Sequence, residues 1–117
     1  VASPTSGISE LSLNKMTTKE DLDSIDHIAI SVNDIKSALE FYLKSFKCKV
    51  VYQDDTWAFI EFGNIKLALV IPEQHPPHIA FVSPKAEEFG PLKTHRDGTR
   101  SIYIKDPSDN TLEIMAP

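Results

Sequence analysis

Cysteine is nearly absent from this chain: of its 117 residues, Cys48 alone carries a thiol. One thiol forms no internal disulfide, so the fold must rest on its core, and a reducing setting, the cytoplasm, is expected. Cys48 sits in FKCKV between two lysines. Such neighbours can lower a thiol's pKa, but the position suits a small half-buried residue better than a nucleophile. Basic clusters are lacking too. Twelve Lys and Arg stand against 17 Asp and Glu, a net charge of −5. That argues against nucleic acid or an anionic membrane as the main partner. No apolar run approaches the ~20 residues of a membrane span. The opening stretch VASPTSGISELSLNK has neither the basic start nor the apolar centre of a secretory signal. Met16 resembles a natural start, so residues 1–24 are expected to be a leader or an arm that packs on a partner chain.

What is present suits one domain over residues 25–117. Hydrophobic residues make up 41% and charged residues 25%, ordinary values for a chain that buries a core. Its most informative feature is a near-repetition: DHIAISV begins at Asp26, and PHIAFVS begins at Pro77. Alternation makes 25–32 a strand with His27, Ala29 and Ser31 on one face and Ile28, Ile30 and Val32 on the other. Asn33 or Asp34 offers an N-cap, and Ile35, Ala38, Leu39, Tyr42, Leu43 and Phe46 follow at helical spacing, which predicts a helix over 34–46. Strands are expected over 48–53, 57–62 and 65–71, the last two joined by the turn Gly63-Asn64. The linker PEQHPP ends this unit. The pattern then restarts: a strand over 78–82, about one helical turn over 85–89, and strands over 101–105 and 111–116 around DPSDN. The fold class is α+β, with two βαβββ repeats (25–71 and 78–117) forming an eight-stranded half-open cup. The second repeat is abbreviated, since His27 precedes Trp57 by 30 residues but His78 precedes Ser101 by only 23.

The helix covers the Ile28 face, so His27 looks into the cup. Aligning the repeat ends by their prolines, NIKLALVIP against NTLEIMAP, sets Glu113 opposite Ala68. His27, His78 and Glu113 then each stand on the polar side of a strand otherwise built for burial. Two imidazoles and a carboxylate on rigid strands suit a divalent metal: Fe, Mn, Zn, Ni or Co. Strand parity also aims Trp57, Phe59 and Glu61 inward. Trp57 and Phe59 are either an aromatic substrate-binding wall or plain core, and Glu61 is either a catalytic base, an extra ligand or an edge residue. His75 is separated from His78 by prolines, and His95 in KTHRDG reads as a turn residue.

DHIAISVNDIKSALEFY, PHIAFV and SIYIKDPSDNTLEIM together resemble the vicinal oxygen chelate superfamily of glyoxalases, bleomycin-binding proteins and extradiol dioxygenases. The resemblance covers about residues 25–117. It implies metal ligation by His27, His78 and Glu113, the last also catalytic, and substrate contact by Tyr103. Ala68 occupies the position of a fourth ligand in some members, and Ala29 replaces a threonine usual in the fosfomycin transferases. The implied function is a small-molecule metalloenzyme (lyase, isomerase, transferase or dioxygenase) that chelates vicinal oxygens of its substrate, and the resemblance also implies a homodimer. The competing expectation is a metal-free small-molecule binding protein of the bleomycin-resistance type.

Overall fold

The computed structural model describes residues 22–117, so the leader or arm expected over 1–24 lies almost wholly outside the described residues. The first strand, β1 (Ser24–Ser31), leads to helix α1 (Ile35–Ser45). Strands β2 (Lys49–Gln53), β3 (Trp57–Glu61) and β4 (Lys66–Val70) complete the first unit. The second unit opens with β5 (His78–Val82) and a single 3-10 turn (Ala86–Phe89). It continues through β6 (Lys93–Thr94), β7 (Arg100–Lys105) and β8 (Thr111–Met115). All eight strands form one sheet in the order β2-β3-β4-β1-β5-β8-β7-β6. The two expected βαβββ units therefore lie edge to edge, joined by antiparallel β1 and β5. Each unit closes on its own first strand by a parallel pairing, β4 on β1 and β8 on β5.

Helix α1 forms where the apolar spacing put it. Asp34 caps it, its carboxylate accepting from Ser37 N–H at 2.8 Å. Ile35 and Leu39 are buried, and with Ala58, Ile60 and Leu69 they make the main core between helix and sheet. The apolar stripe is narrower than its spacing suggests: Leu43 is 47% and Phe46 53% exposed. Phe46 has left the helix, with φ −138 as the C-cap, and meets Phe62 rather than the sheet's centre.

The second unit is abbreviated as the spacing implied. A four-residue 3-10 turn replaces the 11-residue helix. Gly90 ends this turn at φ 142, and a Cβ there would lie 2.6 Å from Ile102 Cδ1. The two-residue β6 was not legible from alternation, which needs a longer run to show.

The turn between β2 and β3 is built on Asp54. Its carboxylate accepts from Tyr52 Oη (2.6 Å), Thr56 N–H (2.7 Å), Thr56 Oγ1 (2.8 Å) and Trp57 N–H (3.0 Å). These bonds, led by the one from Tyr52, hold its pKa well below 3.8. A depressed carboxylate stabilises the fold above its unfolded pKa and loses that contribution as the pH falls below about 4. Asp54→Asn, which keeps one acceptor, should cost about 1 kcal/mol at pH 7 and show a shallower acid-side fall in stability. Denaturant unfolding of both proteins at pH 7 and pH 3 measures this; equal acid sensitivity would show that the turn contributes no linkage.

Candidate metal centre

Cross-strand register builds the site. On the cup face, His27 of β1 is paired with Ala80 of β5, and Ala80 is paired with Glu113 of β8. His78 lies one pleat along β5, opposite Ala29. Ala80 is completely buried, and its methyl group leaves the space above it to the three larger side chains. There they converge within one chain. His27 Nε2 lies 3.2 Å from His78 Nε2, and Glu113 Oε1 lies 3.4 Å from the first and 3.1 Å from the second. This is the one His/Cys/Asp/Glu group among the described residues with ligand atoms mutually within 4.8 Å.

The outer nitrogens of both rings are fixed. His78 Nδ1 lies 2.8 Å from the Pro76 carbonyl, which can only accept, so Nδ1 carries a proton. His27 Nδ1 lies 2.8 Å from Asp26 Oδ2, and the same logic applies. Neighbouring strand residues normally point to opposite faces. Here the β1–β5 register shifts between Ile25 and His27, a bulge at Asp26 that brings its carboxylate beside the next side chain. Lys66 Nζ, 3.3 Å from Asp26 Oδ1, balances its charge.

With both Nδ1 atoms protonated, each neutral imidazole turns a lone pair inward, toward an oxygen of Glu113. Three acceptors at 3.1–3.4 Å repel unless a cation lies among them. In the metal-free chain a proton on His27 meets that need, and its surroundings favour that charged form. Burial alone would lower the pKa of His27, but Glu113 and then Asp26 outweigh it and the net shift is upward. Burial opposes ionisation of Glu113 likewise, yet His27, His78 and Ser101 hold its pKa well below the ordinary value. A divalent ion would meet the same need with three ready donors, so the residues fit one.

The remaining expected residues line the cup. Phe59 meets His27 edge-on at 5.0 Å, and Trp57 lies beside it, stacked on Tyr52 at 4.8 Å. Trp57 and Phe59 pack on Ala29, Ala68 and Val70, so the wall is both core and lining. Tyr103 is paired with Glu113 and meets the His78 ring edge-on at 5.2 Å. Desolvation and the Glu113 charge push its pKa up to about 12. Glu61 shares the cup face, paired through Lys66 with the level of His27. It is exposed and two strands away, roughly 10 Å by strand spacing. Asp26, Ser101 and His95 escaped sequence reasoning. His95 is not merely a turn residue: its Nε2 lies 2.6 Å from Ser101 Oγ, which donates to Glu113 Oε2 at 2.7 Å.

A family model for the Glyoxalase/Bleomycin resistance protein/Dioxygenase superfamily matches residues 24–92. The chain belongs to this superfamily. It is 28% identical over 116 residues to the metallothiol transferase FosB of Staphylococcus saprophyticus, covering 80% of this chain and 76% of that one. The namesake from Lysinibacillus sphaericus is 26% identical over 117 residues, with 80% and 82% covered. Among solved structures, a member of this superfamily from Vibrio splendidus 12B01 shares the fold at a TM-score of 0.61 and 9% identity, over 82% of this chain and all of that one. No helix among the described residues is long and apolar enough to cross a membrane.

The tautomers are directly testable. When neutral, His27 and His78 should both carry their proton on Nδ1, read from the ring nitrogen shifts in ¹⁵N NMR of the metal-free protein. An Nε2–H form of either ring would remove the inward lone pair on which the centre depends.

Proposed function

We propose that the protein is a small-molecule metalloenzyme in which His27, His78 and Glu113 hold a divalent ion, and that its reaction is a group transfer to a substrate bearing neighbouring oxygens. One observation carries the metal reading: three acceptors converge in a buried cup with their proton positions fixed so that all three face inward. The transferase assignment is supported by the likeness to two metallothiol transferases. It is also supported by the side chain at Ala68, which has no donor to add to the three, so more of the ion's surroundings stay free for substrate.

A bound divalent ion supplies Lewis-acid polarisation of substrate oxygens. The chain's own residues do the rest. Tyr103 keeps its phenolic proton at neutral pH and can donate it in a hydrogen bond to a substrate oxygen beside His78. Phe59 and Trp57 close one side of the cup with apolar surface, excluding water and receiving the substrate's apolar part. Glu61, on the rim, is the carboxylate available as general base to a substrate long enough to reach it. Since all three donors belong to one chain, a homodimer would be a matter of assembly and not of completing the centre.

The experiment is metal analysis of tag-free protein with His78→Ala beside it. About one Fe, Mn, Zn, Ni or Co per chain is expected, with affinity at least about 100-fold lower in the variant. Uptake should weaken as the pH falls through the raised pKa of His27, because proton and ion compete for the same inward lone pairs. A chain that takes up none of these ions would instead favour the metal-free binding reading, in which the aromatic wall holds a ligand. With metal bound, Trp57→Ala should raise KM several-fold while leaving metal content unchanged.

A further inference from the structure

The two oxygens of Glu113 have different partners. Oε1 faces the two imidazoles at 3.4 and 3.1 Å. Oε2 accepts from Ser101 Oγ at 2.7 Å and lies 3.8 Å from His95 Nε2. Ser101 has one hydroxyl proton and gives it to Oε2, so toward His95 its oxygen accepts. His95 Nε2, 2.6 Å away, therefore carries a proton. The chain of donation runs from His95 Nε2–H to Ser101 Oγ–H to Glu113 Oε2.

This chain is held from both sides. Ser101 is 1% and Glu113 5% exposed, so bulk water cannot replace the Ser101 proton. His95 is fixed by a turn in which its N–H donates to Thr99 C=O at 2.7 Å and its own C=O accepts from Gly98 N–H at 3.0 Å. Asp97 Oδ1 accepts from both the N–H and the hydroxyl of Thr99 and keeps that turn closed. The short β6 places His95 over β7, since Thr94 pairs with Arg100 next to Ser101.

We propose that Ser101 and His95 are positioning residues that restrict Glu113 to a single metal-facing oxygen, Oε1. The inference rests on the metal reading above and adds to it a way of ligation. A buried carboxylate oxygen stripped of its donor is costly, and the cheapest remedy is to turn toward the cation. The Ser101 bond removes that incentive. One-oxygen ligation leaves an additional place on the ion for the substrate, which a centre meant to hold two neighbouring oxygens requires. Outer residues of this kind ordinarily change metal affinity by about 10–100-fold.

The test uses Co(II) as probe on the full chain, with Ser101→Ala, His95→Ala and His95→Gln. Visible Co(II) bands weaken as the ion's coordination number rises, so they report whether Glu113 gives one oxygen or two. Ser101→Ala should weaken and shift the bands and change Co(II) affinity by about tenfold. His95→Ala should move them the same way by less. His95→Gln, whose amide N–H can replace Nε2–H, should return them toward the parent protein. A merely structural role would lower thermal stability without moving the bands. If Ser101→Ala fails to fold, the His95 pair decides. Unchanged bands in a Co(II)-loaded His95→Ala and Ser101→Ala would overturn the proposal alone. A parent protein that takes up no Co(II) would overturn the metal reading and this proposal with it.

Discussion

The register between β1 and β5 is the constraint on which the site depends. The His-Ile-Ala written twice in the sequence is paired against itself: His27 opposes Ala80, and Ala29 opposes His78. Each bulky ring thus stands opposite a methyl group of the other copy. Two imidazoles placed directly opposite would crowd one another across a pair of strands about 5 Å apart. The antiparallel offset instead puts them on a diagonal, and leaves the Ala80 row open for Glu113 to reach in from β8. A slip of one residue would turn every one of these groups to the opposite face of the sheet.

That pairing is nearly symmetric, but the two halves are not. In the first unit the counterpart of Glu113 is Ala68, paired with Ala29 and Phe59. The space that a carboxylate takes on one side is filled on the other by aromatic rings packed on small residues. The result is one polar centre with an apolar flank, where full symmetry would give a four-donor cage. The asymmetry continues on the reverse face. The first unit's sheet is covered by α1, while the second has only one 3-10 turn, with Phe89 left 51% exposed.

Much of this was legible because strand alternation and internal repetition are strong signals. The two units, the inward facing of His27, His78 and Glu113, and the shortening of the second unit all follow from spacing and parity. The helix boundary fell within a residue of Asp34 because a capping carboxylate precedes the apolar stripe. The supporting residues were not legible. Asp26 reaches His27 only because a bulge breaks the alternation on which the reading relied. His95 and Ser101 are close in sequence, but their contact depends on a two-residue strand too short to leave a period. Pro76 contributes a carbonyl, which no side-chain pattern can announce.

These supports share one electrostatic direction. Pro76 and Asp26 accept the outward protons of the imidazoles, and Ser101 gives its proton to the outward oxygen of Glu113. Each partner thereby leaves a lone pair facing the centre. Had Asp26 been a donor, His27 would have turned its own N–H inward and satisfied Glu113 directly, and the cluster would need no cation. Lys66 prevents Asp26 from adding a second uncompensated charge, since it pairs with Oδ1 while Oδ2 serves the ring. With both rings neutral, as a bound ion requires, the inner group keeps only the single negative charge of Glu113. A divalent ion bound there would leave the centre with a net positive charge facing the cup, which is what attracts and polarises substrate oxygens.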